Sequence, residues 1–248
     1  MTSATMAGIL AKLRGVLGKS RARPSINPKY TRRRLRRLVA AERSLLRRFV
    51  PDGALVLDAG CGDGRNAFRI VDELAITPRR VVMLDINPDM LELGRRNIAA
   101  DEGTAHLFEV AEGSVFQVPF PDGTFDVSIC VGNVLSLAAG GTIAEGLDEL
   151  RRVTDEGGVI LFSLATREYL QRVAHERGLP DRAAEVEATG VYTHWNDQYG
   201  EGVCKSWGPT SLVPDNVRAA SLMLLEVREV YTDYRDVPAC LLLACRRV

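Results

Sequence analysis

Val56-Leu57-Asp58-Ala59-Gly60-Cys61-Gly62-Asp63-Gly64-Arg65-Asn66 is the stretch that decides how this chain folds. An apolar run, Ala54–Asp58, breaks off into three alternating glycines, and a helical pattern begins at Arg65. A short apolar run closed by glycines reads as a buried strand entering a tight turn before a helix. Glycines there permit unusual backbone angles and let a ligand lie against the main chain. The N-terminus of the next helix adds a positive dipole end that favours a carboxylate or phosphate. The dinucleotide fingerprint would require a further glycine at position 65, which is Arg65, so a nicotinamide cofactor is disfavoured.

Outward from that loop, the pattern alternates. Helical stretches are predicted at 65–74, 88–100 (with Pro88 at its start) and 143–153. Strands are predicted at 80–85, 106–110, 124–131 and 158–164, an alternation that argues for a parallel sheet covered on both faces. Asp85 ends the second strand, 21 residues after Gly64. An acid there is placed to accept hydrogen bonds from both hydroxyls of a ribose. Alone it reads equally well as a helix cap, but its register with the glycine loop favours the ribose. After a helix at 167–177 and an irregular stretch, two strand-like segments, 222–231 and 239–248, flank a short turn with Asp236 and Pro238. They are predicted to pair as an antiparallel hairpin. Upstream of the loop, 30–49 reads as a basic amphipathic helix ended by Pro51-Asp52-Gly53.

The glycine loop and the strand-two acid resemble the D-x-G-x-G-x-G loop and acid of class I S-adenosylmethionine (SAM)-dependent methyltransferases. The stretch 116–126, FQVPFPDGTFD, resembles that family's LPFPDGSFD segment, and 149–158, ELRRVTDEGG, resembles its L-x-R-V-L-x-P-G-G segment. The resemblance implies an α/β, doubly wound seven-stranded sheet: five parallel strands plus a C-terminal antiparallel hairpin, with helices on both faces. It implies SAM as cofactor and S-adenosylhomocysteine as product. It also implies that Asp58, Gly60 and Gly62 hold the amino-acid end of SAM, that Asp85 grips the ribose, and that Ile86 packs on the adenine. Gly113 and Ser114 stand where many relatives carry Gly-Asp, whose carboxylate meets the adenine amino group; a hydroxyl accepts that bond less strongly. Val131-Gly132-Asn133-Val134-Leu135 loosely resembles the C-x-G-N-S/V-L stretch of small-molecule and amino-acid N-methyltransferases. Val131 and Asn133 are therefore cofactor-site residues by resemblance, with a plain turn role for Asn133 as the alternative.

Length and composition set the frame. A chain of 248 residues, 46% apolar and 26% charged, is an ordinary globular protein that needs neither disulfides nor metals to fold. No run approaches the ~18 apolar residues of a membrane span, and the expected location is cytoplasmic. The five cysteines include no CxxC pair and the histidines number three, so no metal site is expected. Net charge is zero, yet residues 1–41 hold eleven Lys and Arg and no acid. Residues 1–29 form a predicted basic arm, of a kind that could meet nucleic acid, a membrane surface or an acidic partner, or simply be solvated. Within it, 6–17 resembles a transit or surface-seeking helix and lacks the apolar core of a secretory signal.

Residues 30–248 are predicted to form the methyltransferase domain, with a SAM core at 54–164, an acceptor-binding insertion at 178–220 and the hairpin at 222–248. The insertion holds both tryptophans and suits an aromatic lid or, equally, a flap packed on the core. Tyr192, Trp195 and Tyr199 are its candidate substrate contacts, and His194 its candidate base. The favoured activity is methyl transfer to a small-molecule nitrogen or oxygen by in-line displacement, a reaction that asks chiefly for alignment. The alternatives are an RNA or protein methyltransferase guided by the basic arm, and a SAM-binding module without catalysis. The arm lacks the interleaved aromatics that stack on bases.

Overall fold

Helix α1 (Pro28–Phe49) buries Leu45 and Leu46 and ends at the Pro51–Gly53 turn. The computed structural model describes residues 28–248 except 101, 139, 197–199 and 233, with backbone alone at 28–35, 194–196, 200 and 201. The predicted basic arm, apart from its last residues, lies outside the described residues. Strand β1 (Leu55–Ala59) leads into α2 (Arg65–Phe68), which widens into one π-helical turn at Arg69–Glu73. Strand β2 (Arg80–Asp85) is followed by α3 (Pro88–Ala99), where Asn87 caps the Asp89 N–H and Pro88 occupies the first turn. Next come β3 (Phe108–Glu112), β4 (Phe125–Cys130) and the single turn α4 (Val134–Leu137). Helix α5 (Ile143–Val153) starts with a capping box between Thr142 and Glu145, and β5 (Thr154–Ala165) follows directly. The remainder comprises α6 (Arg167–Glu176), α7 (Pro180–Thr189), β6 (Val191–Asn196) and β7 (Gly200–Lys205). Helix α8 (Val213–Ala219) then leads to β8 (Leu222–Val230) and β9 (Cys240–Arg247).

The main sheet has the order β3-β2-β1-β4-β5-β9-β8. Strands β1 to β5 run parallel, and β9 lies antiparallel between β5 and β8. This is the predicted fold: five parallel strands closed by a C-terminal hairpin. Successive side chains of a strand point to opposite faces. Leu57, Leu84 and Phe162 accordingly join Leu147 of α5 and Val217 of α8 in one core. Val56, Met83 and Leu161 join Leu46 of α1 and Ile70 of the π turn in the other. Strands β6 and β7 pair separately. Beside them a small satellite core holds Leu170 and Ala174 of α6, Ala183 and Val186 of α7, and Tyr192.

Some boundaries differ from the sequence reading. The third strand starts two residues late because Ala105–Leu107 coil into a 3-10 turn. The fifth starts at Thr154 rather than 158, with a register shift opposite Phe125 and Val127. Such a bulge lets a strand continue past glycines without losing its partner. Among the described residues no helix is long and apolar enough to cross a membrane. Because β1 is flanked by β2 on one side and β4 on the other, the chain direction of winding reverses there. The carboxyl ends of these strands open a crevice, the usual ligand position in such sheets.

Candidate cofactor and active site

That crevice holds a cavity of about 250 Å³. Gly60 and Gly62 enter it from β1, Asp85 and Ile86 from β2, and Met90 from α3. Gly113, Ser114, Val115 and Phe116 follow β3, while Gly132, Val134, Leu137 and Ala138 come from the segment after β4. The loop works because of two glycines with positive φ, 73° at Gly60 and 58° at Gly62. A Cβ on Gly60 would lie 2.6 Å from Val134 Cγ1, so this residue lets the loop close onto α4. A Cβ on Gly62 would meet nothing within 4 Å, so here the backbone is bare toward open space.

Asp85 is 7% exposed and organises the loop. Its Oδ2 accepts from the Gly62 N–H at 2.7 Å and its Oδ1 from the Asn87 N–H at 2.9 Å. Burial pushes its pKa up and these N–H groups pull it back. Each oxygen still has a lone pair for a further donor. Asp58 sits behind the loop, 2% exposed, facing the Ala67 N–H at the start of α2. Burial pushes its carboxyl up to about 7, and its Oδ2 has no hydrogen-bond partner among the described residues. Such an orphaned buried oxygen calls for a ligand or water.

Ser114 lines the cavity, and its Oγ accepts from the Phe116 N–H at 3.2 Å. Two of the family-like segments meet directly behind this wall. Glu149 accepts from the Val118 N–H at 2.7 Å, while Arg152 donates to the carbonyls of Val118 and Phe120, each at 3.0 Å. Their contact holds the Phe116–Asp122 loop in place. Asn133 adopts a left-handed φ of 60° and donates its N–H to Ser163 Oγ at 2.7 Å. Its side chain is not among the groups lining the cavity, although Oδ1 is buried without a partner among the described residues. Val131 packs in the core on the α1 side, so Gly132 and Val134 line the cavity on either side of Asn133.

The insertion contributes differently from its aromatic composition. Tyr192 is 4% exposed within the satellite core, and its hydroxyl accepts from Arg177 at 3.3 Å; it does not line the cavity. The side chains of His194 and Trp195, and all of Tyr199, lie outside the described residues. What approaches the cavity from behind its wall is Lys205 of β7, which is not itself among the lining residues. Its Nζ donates to Ala138 O at 2.6 Å and Gly141 O at 2.5 Å and lies 5.6 Å from the Phe116 ring centroid. Sequence reasoning missed Met90, Phe116, Leu137 and Lys205. The first three are ordinary apolar residues in their own segments, and a lone lysine in a strand carries no pattern.

Residues 56–158 match the family described as Methyltransferase domain. The chain is 35% identical over 111 residues to a malonyl-[acyl-carrier protein] O-methyltransferase of Yersinia pestis, covering 45% of this chain and 36% of that protein. It is 32% identical over 118 residues to a demethylmenaquinone methyltransferase of Symbiobacterium thermophilum, covering 47% and 45%. The chain thus spans less than half the length of these curated relatives. The 1,6-didemethyltoxoflavin-N1-methyltransferase of Burkholderia thailandensis, solved with its acceptor and S-adenosylhomocysteine, superposes with a TM-score of 0.62. That match has 14% identity and covers 100% of this chain and 92% of that one. Residues 56–158 thus match the methyltransferase-domain family, and the chain has the fold of the class I SAM-dependent methyltransferases. The cofactor of that class is SAM. The bare backbone at Gly62, the free lone pairs of Asp85 and the orphaned oxygen of Asp58 fit it.

Proposed function

We propose that this protein transfers the methyl group of SAM to a small-molecule acceptor through a nitrogen or oxygen nucleophile. One observation carries the reading: a single cavity runs from the polar cradle at Gly60, Gly62 and Asp85 to an apolar mouth at Phe116, Val134, Leu137 and Ala138. Bound there, SAM would supply a methyl group activated by its sulfonium. Asp85 would hold the ribose, Ile86 and Met90 would pack on the adenine, and Gly62 would let the amino-acid chain lie along the backbone. Phe116, Val134 and Leu137 would exclude water from the line of attack. Among the described residues Asp85 is the one ionisable side chain on the cavity wall, and two N–H groups already engage it. The wall is built to align and desolvate rather than to remove a proton, which suits an acceptor that presents a free lone pair. The relatives' named acceptors, a carrier-bound malonyl group and a quinone, support a small or carrier-borne acceptor. We place the SAM core at 54–164 and the acceptor cover within 178–220.

The test is transfer of a labelled methyl group from SAM to a metabolite filtrate, RNA and protein from the source cell, with Asp85→Ala as control. Label in the filtrate, lost in the variant, supports the proposal. Label confined to RNA, or to protein from which cleavage of carrier-bound acyl groups does not release it, overturns the small-molecule reading in favour of a macromolecular acceptor met by the basic arm.

A further inference from the structure

Helix α1 is longer than the sheet it packs on. Its carboxyl end feeds β1 through residues 51–53, so that end lies at the amino edge of the parallel strands. Higher up, Arg48 pairs with Glu226 in the middle of β8 at 2.9 Å, and Arg37 Nη1 donates to the carbonyl of Tyr231, just past the end of β8, at 3.4 Å. The helix rises about 16 Å between Arg48 and Arg37, and β8 about the same between Glu226 and Tyr231, so the two run alongside each other. Strand β8 lies antiparallel to β9, and β9 to β5, so β8 ends at the carboxyl edge of the parallel strands, where the cavity opens. Residues 28–36 therefore continue about 13 Å beyond that edge.

The projecting end is the most basic part of the chain. Residues 1–41 hold eleven Lys and Arg and no acid, leaving 21 of the 32 basic residues, with all 32 acids, for the rest. The one acid of α1, Glu42, is 1% exposed and pairs with Arg69 of the π turn. Arg43 and Arg48 are paired with Glu73 and Glu226, whereas Arg36 and Arg37 are exposed without an acidic partner among the described residues. At the same edge Leu137, which ends α4 and lines the cavity, is 50% exposed. Its turn is fixed from β5: the Asn133 N–H donates to Ser163 Oγ, and Ser136 Oγ accepts from the Ala165 N–H. Ahead of α1 in the sequence, Ile9, Leu10, Leu13, Val16 and Leu17 recur at helical spacing with Lys12 and Arg14 between them. Tyr30 is the only aromatic among residues 1–41. Basic charge combined with aliphatic side chains suits anionic lipid headgroups over an acyl layer, whereas unpaired nucleic-acid bases call for aromatic rings to stack on.

We propose that this protein docks on anionic membrane surfaces through residues 1–41, and that docking turns the cavity mouth at Leu137 toward the bilayer, from which an apolar acceptor enters. The clause about the acceptor rests on the small-molecule reading above; the docking does not. The acidic remainder of the chain is repelled by the same surface, which favours one orientation. Each basic residue held within a Debye length of such a surface contributes about fivefold in affinity, and salt screens it.

The experiment is sedimentation of the full chain with vesicles of phosphatidylcholine alone, and of phosphatidylcholine and phosphatidylserine in equal parts. Anionic vesicles should bind at least about tenfold more tightly, and about 0.5 M salt should remove most of the difference. Arg36→Gln with Arg37→Gln should weaken anionic binding about tenfold or more, while Arg43→Gln with Arg47→Gln, lower on the same helix, should change it less than about threefold. Orientation is read by tryptophan quenching with lipids brominated on their acyl chains. Leu137→Trp should be quenched beyond the wild type, and Met223→Trp, exposed at the opposite edge of the sheet, should not. Equal binding to both vesicles, equal effects of the two arginine pairs, or quenching at 223 or at neither position overturns the proposal. So does displacement from the vesicles by poly-uridine at equal phosphate concentration, which would give the basic end to nucleic acid. These measurements contain neither cofactor nor acceptor, so their failure leaves the proposed methyl transfer standing. Failure of the labelled transfer leaves the docking surface standing and removes only the clause about the acceptor.

Discussion

The cavity wall built on β1 to β4 and the flap laid against it by β6 and β7 are held by different chemistry. The wall is fixed by short backbone contacts made by neighbouring loops. Asp85 accepts two N–H groups, Gly60 lies against Val134, and Arg152 gathers the carbonyls of Val118 and Phe120. The flap packs its own satellite core around Tyr192 and reaches the cavity rim through Lys205, which caps the carbonyls of Ala138 and Gly141. A wall of that kind is preorganised for a constant ligand. A flap that rests on its own satellite core and meets the cavity rim through one cation can differ in shape with little effect on the wall, which would suit a variable acceptor.

The sharpest break in this comparison is Asp85→Ala. It removes the acceptor of two buried N–H groups as well as the proposed ribose contact. Affinity for S-adenosylhomocysteine should fall by about a hundredfold or more, measured by calorimetry. Retained affinity would mean that the wall does not depend on this carboxylate.

Gly60→Ala and Gly157→Ala come next, as a pair. Both glycines have nearly the same φ, 73° and 74°, but an added Cβ meets Val134 at the first and nothing within 4 Å at the second. Backbone strain should cost each about 1 kcal/mol, and overpacking should add about 2 kcal/mol at Gly60 alone. Urea unfolding reads the difference, and equal losses would show that α4 yields to the loop.

The buried acids give a pH signature. Asp58, pushed up from 3.8 to about 7 by burial, keeps a proton in the folded state that the unfolded chain has released. The unfolded state therefore binds fewer protons between those values, and the ligand-free protein should lose stability as pH rises through that window. The slope is at most about 1.4 kcal/mol per pH unit for one proton. Glu42 and Asp85, also raised, act in the same direction. A slope of opposite sign in thermal melts would contradict the burial of these acids.

The smallest expected effect is Lys205→Met. It releases the flap from the rim and leaves the cradle untouched. The acceptor KM should rise about fivefold, as for the loss of a hydrogen bond near 1 kcal/mol, with S-adenosylhomocysteine affinity unchanged. A drop in cofactor affinity instead would show that Lys205 also shapes the wall through Phe116.

Much of the wall was legible in the amino-acid order because its signals are local. An apolar run stopped by Gly60, Gly62 and Gly64 announces a strand-to-helix turn, Pro88 announces a helix start, and Asp85 stands one strand further on. The strand and helix alternation followed from periodicity and the closing hairpin from two strand-like segments about a short turn, with errors of a few residues where a 3-10 turn or a bulge intervened. The flap was less legible. Its aromatics suggested a pocket, yet Tyr192 turned inward to the satellite core, because a large apolar ring gains more from burial between α6 and α7 than from facing a wet rim. Glu42 and Lys205 carried no signal whatever. Whether an acid in a basic helix is a solvated face or a buried charge depends on what packs over it, and the groups that do so, Arg69 and Gly132, lie far away in the sequence. The order of residues determined the sheet and the glycine loop; only tertiary packing decided which charges lost their water.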